Sequence, residues 1–148
     1  MKKLTLLLLV LILSACSVGE TELSRNQNKW QDANITHYRF ELTVGCFCPF
    51  RSQMPVTVEV QNGEIVSMID VNGETLSTTD PMNEFIVKYA TIDRLFSELA
   101  SDSVQKADKL TVSYDPTYGF PSDVNIDFIE LAMDDELHLS ASAFEPLP

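Results

Sequence analysis

The chain is short of cysteine, glycine and basic residues: of 148 positions, 3 are Cys, 5 are Gly, 10 are Lys or Arg, and one is Trp. Three thiols are too few for a disulfide-dense miniprotein. Five glycines exclude a collagen-like or low-complexity chain. Only one long apolar run occurs, at the N-terminus, which excludes a multi-span membrane protein. The shortage of base against 22 acidic residues leaves a formal net charge of −12. Phosphates repel such a chain, so nucleic acid is not an expected partner. Catalytic signatures are missing too. There is no Gly-x-Ser-x-Gly, no His-Glu-x-x-His, no phosphate-binding glycine loop and no dinucleotide fingerprint. Two histidines leave little for acid–base work near neutral pH. A hydrolase built from distant carboxylates has no motif behind it, and a non-enzyme is expected. What remains is 45% hydrophobic and 22% charged, the composition of one ordinary globular domain.

The N-terminus reads as an address. Met1-Lys2-Lys3 precedes an apolar stretch from Leu4 to Leu13, broken only by Thr5, and then Ser14-Ala15-Cys16. A positive end, a short apolar core and small residues make a secretory signal. The stretch falls short of the roughly 20 residues that cross a bilayer. Leu13-Ser14-Ala15-Cys16 resembles the bacterial lipobox. That resemblance implies cleavage before Cys16, a diacylglycerol on its thiol and an acyl chain on its new amine. Residues 1–15 are then a signal peptide, 16–24 a lipidated tether and 25–148 a single domain. Ser17, where an Asp would favour inner-membrane retention, points to the outer membrane and its periplasmic face. Losing Lys2 and Lys3 takes the net charge from −12 to −14. The lipid must therefore hold the membrane, and two or three acyl chains suffice at about 0.8 kcal/mol per buried methylene.

Periodicity supplies the fold class. Ser24 to Asn34 reads as a helix capped by Ser24, with Trp30 as a core anchor. Residues 37–44 alternate, Tyr38, Phe40, Leu42 and Val44 against His37, Arg39, Glu41 and Thr43. Val56, Val58 and Val60 repeat the pattern, Asn62-Gly63 predicts a hairpin, and Ile65 to Val71 resumes. Residues 77–84 are a loop, and Phe85 to Tyr89 fits helix or strand. Thr91 caps an amphipathic helix with Ile92, Leu95, Phe96 and Leu99 on one face, running to about residue 105. Leu110, Val112 and Tyr114 alternate, as do Val124, Ile126 and Phe128. Asp134-Asp135-Glu136 is a solvated turn, and Leu137, Leu139, Ala141 and Ala143 close the pattern. The expected fold is α+β: an antiparallel sheet of five to six strands, with the N-terminal helix and one central amphipathic helix packed on one face.

Two features hold candidate chemistry. With Cys16 lipidated, Cys46 and Cys48 are an even pair in an oxidising compartment. On a straight strand their Cα atoms would lie about 6.6 Å apart, near the upper edge of disulfide geometry. Gly45 and Pro49 both favour a bend that would bring them closer. So short a loop makes a poor staple, and three readings stand: a local structural bridge, a redox-active pair, or metal-binding or free thiols. Two Cys with Met54 would suit Cu(I), but no Cys-x-x-Cys or Met-rich cluster supports it. His37 and His138 read as exposed strand residues, and no metal site is assigned. The second feature is the run from Tyr114 to Asp127. Asp115, Pro116 and Gly119 suit turns. As a recognition loop, Tyr114, Tyr118 and Phe120 would supply stiff contact area and Asp115, Asp123 and Asp127 acceptors; as structure, it is a wide connection between strands.

From Trp30 to about Phe144 the chain resembles a family of bacterial lipoproteins known only as a domain of unknown function. The likeness rests on Trp30, Tyr38-Arg39-Phe40, Cys46-Phe47-Cys48-Pro49, the Val56–Val60 run with Asn62-Gly63, Ile92 with Leu95-Phe96, and Tyr114-Asp115-Pro116 with Gly119-Phe120-Pro121 and Asp127. It implies a secreted or lipid-anchored α+β domain and no activity. The expectation is a lipid-anchored envelope module that binds or assembles with an envelope protein and carries no cofactor. The alternative is a redox or copper-handling lipoprotein using Cys46 and Cys48.

Overall fold

Alternation in the 37–44 segment does what period two dictates. Tyr38, Phe40, Leu42 and Val44 are all buried along β1 (His37–Gly45), on one face of a sheet. The structure, a computed structural model, describes residues 20–148. The signal peptide, Cys16 and tether residues 17–19 lie outside the described residues. β2 (Val56–Gln61) and β3 (Glu64–Ile69) form the expected hairpin, with Asn62 and Gly63 at φ 52° and 80°. β4 (Lys109–Tyr114), β5 (Pro121–Asp127) and β6 (Leu137–Pro146) make a second meander. The first strand pairs with the last, giving one open six-stranded antiparallel sheet in the order β3-β2-β1-β6-β5-β4. The chain leaves this sheet at the β3 edge and returns at the β4 edge, with helices between. The fold is mixed α+β.

Helix α1 (Glu22–Ala33) starts earlier than Ser24. Thr21 takes the extended cap conformation, and its hydroxyl accepts the Ser24 N–H at 3.1 Å. Ser24 sits in the first turn and returns its own hydroxyl to the Thr21 carbonyl. Residues 84–87 resolve as a short helix, α2 (Glu84–Val87). Helix α3 (Ile92–Leu99) begins at Thr91 as the cap pattern requires, with Ile92, Leu95, Phe96 and Leu99 buried. It stops about a turn and a half short of the expected end. Ser101 is extended and accepts the Val104 N–H, so it starts a separate turn, α4 (Asp102–Gln105). β3 ends at Ile69 rather than running to Val71, because the Asp70 carboxylate captures the backbone N–H groups of Asn72 and Glu74. Those same hydrogen bonds, Glu74's first, hold the Asp70 carboxyl below its ordinary range.

The last strand departs from simple alternation. Leu137, Leu139 and Ala141 face the core as expected, but Ala143 does not continue the series. Its φ is 49°, at a bulge between the Arg39 and Glu41 registers of β1. One extra residue reverses the parity of the strand. Phe144 therefore turns inward, where it meets Trp30, Tyr38 and Phe120.

Tyr38 ties this aromatic group to α3. Its hydroxyl accepts the Ile92 N–H at 3.1 Å, one of the orphan donors of that helix's first turn. Burial pushes the phenol well above its usual pKa, so it is neutral. Tyr38→Phe should cost about 1–3 kcal/mol, the desolvation penalty of a stranded N–H, read from the urea midpoint.

His37, next to Tyr38, opens β1. Its ring nitrogens lie 3.0 Å from a Glu59 carboxylate oxygen and 3.0 Å from the Pro148 carbonyl. The Glu59 hydrogen bond, then the Pro148 carbonyl, raise its pKa above 6.5. A raised native pKa stabilises the fold fully below the unfolded value and loses that contribution as pH rises through the native one. Stability should thus fall as pH climbs past 6.5 through the raised value. Glu59→Gln should flatten the slope and move the His37 NMR titration back toward its ordinary midpoint.

Candidate functional site

On the opposite side of the sheet β1, β2, β4, β5 and β6 present polar or small residues at every second position, while β3 adds Ile69. Gly45, His138, Asn125 and Thr111 stand in one row across β1, β6, β5 and β4. They floor a cleft of about 520 Å³. Cys46, Phe47 and Arg51 wall it from the β1–β2 connection, and Asp134 and Glu136 from the β5–β6 loop. Lys109 and Asp127 close the β4 side.

Each wall has a local cause. A Cβ on Gly45 would stand 3.2 Å from the Cβ of His138, so glycine lets the imidazole lie close over β1. His138 Nε2 is 2.9 Å from Asp123 Oδ2, and Asn125 Nδ2 donates to the other Asp123 oxygen at 2.7 Å. Lys109 Nζ reaches Glu130 at 2.6 Å, and that pairing raises its pKa. Arg51 joins none of the ion pairs among the described residues.

Cys46 and Cys48 are paired, with Cα atoms 5.2 Å apart. This is shorter than straight-strand spacing because the chain bends: the Cys48 N–H donates back to the Cys46 carbonyl at 2.9 Å. Cys46 packs against the core while Phe47, between the two, is 85% exposed. Chain entropy for so small a loop supplies only about 1.6 kcal/mol. The bridge shapes this corner more than it stabilises the fold.

The structure separates the residues of the Tyr114–Asp127 run. Phe120 is 3% exposed and packs against Trp30 and Phe144. Tyr118 is half-buried on Phe144, and Tyr114 is also half-buried. Asp115 spends one carboxylate oxygen on the N–H groups of Thr117 and Tyr118, which closes the turn. Lys29 of α1 donates to the Pro116 carbonyl, fastening the turn to that helix. Asp123 belongs to β5, where it holds His138. Asp127 is farther still, at the end of β5, in the cleft. Met54 lies near β1, its sulfur accepting the Val44 N–H at 3.4 Å. His37 opens β1 and Cys46 follows its end, so nine residues, about 30 Å, separate them. Among the described residues no three His, Cys, Asp or Glu side chains gather as a metal would need.

The sequence does not bring His138, Asp123 and Asn125 together. Their shared signal there is parity: each falls on a polar position of a strand. Their meeting depends on register between β5 and β6, which no short-range pattern encodes.

No curated protein and no solved structure matches the chain. A family model does match, over residues 22–146, from the first residue of α1 to the last of β6. It spans the whole sheet, both Cys46 and Cys48, and every wall of the cleft. The chain belongs to the family of unknown function DUF6174.

Proposed function

We propose that the protein is a lipid-anchored binding module of the cell envelope, without catalytic activity. Its anchor would be Cys16, holding it at the outer membrane on the periplasmic side. The helices would cover one face of the sheet, leaving the other as the working surface. The observation that carries this reading is the cleft at the end of that open face, with Phe47 held out beside it on a two-residue bridge. A large aromatic so exposed, on a locked loop, is the kind of stiff anchor that binding surfaces use.

A photo-crosslinking amino acid placed at Phe47, and separately at Tyr118, tests it in cells. Adducts from position 47 and none from 118 support the cleft. The reverse would put the Tyr114–Asp127 loop in front as the binding surface. The intact mass of the membrane-purified protein should show a lipid-sized increment on a chain starting at Cys16.

One observation favours a second reading: Cys46 itself lines the cleft. A redox module would use that pair for thiol–disulfide exchange with a bound thiol. A reduction potential below about −300 mV marks the bridge as structural and ends the redox reading.

A further inference from the structure

From the apolar and charged groups around the cleft we infer its occupant: a cationic, amphipathic stretch of polypeptide. This rests on the cleft being the binding surface. The β5–β6 loop that carries Asp134 and Glu136 into the cleft also presents Leu131, 95% exposed, and Met133, 89% exposed. Phe47 faces solvent from the β1–β2 connection that walls the same cleft. Single exposed apolar residues need no explanation. Four large ones on two loops that meet at one cleft, with Ile129 of the β5–β6 loop as the fourth, do. Met and Leu give an adaptable surface, Phe a stiff one, and extended or helical peptides bind through such anchors.

Charge selects among apolar partners. The same loop carries Glu130, Asp134, Asp135 and Glu136, Asp127 lies on the β4 side of the cleft, and Asp123 sits behind its floor against His138. Against these stand Arg51 and Lys109, and Lys109 is already held by Glu130. The whole chain carries −12, so the long-range field adds to the local one. A partner with Lys or Arg between apolar residues satisfies both features. A second copy of this chain would bring acid against acid, and a phosphate or free carboxylate would meet a net acidic lining.

Fluorescence anisotropy with the full chain and three labelled twelve-residue peptides is the test: alternating Lys and Leu, alternating Glu and Leu, and alternating Lys and Ser. The Lys/Leu peptide should bind, weaken with salt, and lose about tenfold or more in affinity when Leu131→Ser and Met133→Ser are combined. Both side chains are exposed, so the variant should keep its circular dichroism and melting temperature. Asp134→Asn with Glu136→Gln should weaken binding and reduce the salt dependence. The Glu/Leu and Lys/Ser peptides should bind at least tenfold more weakly. Equal binding of Glu/Leu, or Lys/Leu binding untouched by the loop substitutions, overturns the inference. An adduct from position 47 in cells without Lys/Leu binding would leave the cleft as the binding surface and remove this class of occupant. Neither adduct nor binding would remove both.

Discussion

Trp30→Ala should lower unfolding free energy by about 3–5 kcal/mol, the usual cost of deleting a buried aromatic. Few positions join as many parts of this fold. The indole is 4% exposed and lies edge-on to Tyr38, Phe120 and Phe144, with ring centroids 5.3, 6.2 and 5.8 Å away. Its Nε1–H donates to Asp93 Oδ1 on α3 at 3.2 Å. One side chain therefore connects α1, α3, β1, β6 and the turn between β4 and β5. A domain of this size has about a fifth or more of its margin at stake, since total stability is about 5–15 kcal/mol. Trp30→Phe keeps most of the area and loses the hydrogen bond; it should cost about half as much, read in the same urea titration. A loss under about 1 kcal/mol for Trp30→Ala would mean that α1 is not anchored by this residue.

How far each feature is readable in the sequence depends on how local its cause is. β1 is legible residue by residue because alternation needs only one strand and one wet face. The β2–β3 turn is legible because Asn62-Gly63 answers a local demand for positive φ. The α3 start is legible from Thr91; its stop is not, because Ser101 breaks the helix with a hydrogen bond that competes with the apolar spacing. The bulge at Ala143 is invisible. Ala has no preference for φ 49°, and only the gain from placing Phe144 among the aromatics explains the reversal. The Cys46–Cys48 pair is conspicuous, but the bend that lets it close depends on one backbone hydrogen bond. The cleft is hidden altogether, since its floor takes one residue from each of four strands. In the Tyr114–Asp127 run, composition supplies aromatics and acids but not direction. Trp30, far upstream on α1, decides that Phe120 faces inward.

Gly119→Ala should cost about 2 kcal/mol or more, and comparison with Gly63→Ala says why. Both glycines have positive φ, 81° and 80°. Each substitution carries the penalty of a left-handed L-residue, about 1–2 kcal/mol. At Gly63 nothing lies within 4 Å of the new methyl, so the cost stops there. At Gly119 the methyl would stand 2.7 Å from the Asn26 carbonyl and 3.0 Å from the Lys29 Cβ, both on α1. Backbone cannot swing aside as a side chain can, so either the turn or the helix must retreat. The excess of Gly119→Ala over Gly63→Ala, in paired urea titrations, therefore measures how tightly the turn is held against α1. A clear excess, together with NMR evidence that the Lys29 ammonium no longer donates to the Pro116 carbonyl, makes the Tyr114–Phe120 segment a clasp for the N-terminal helix. Crosslinking from Phe47 should then survive Gly119→Ala, because the cleft lies at the other end of β5. Equal costs at the two glycines would mean that the turn stands free of the helix, and its tyrosines would again be available to a partner.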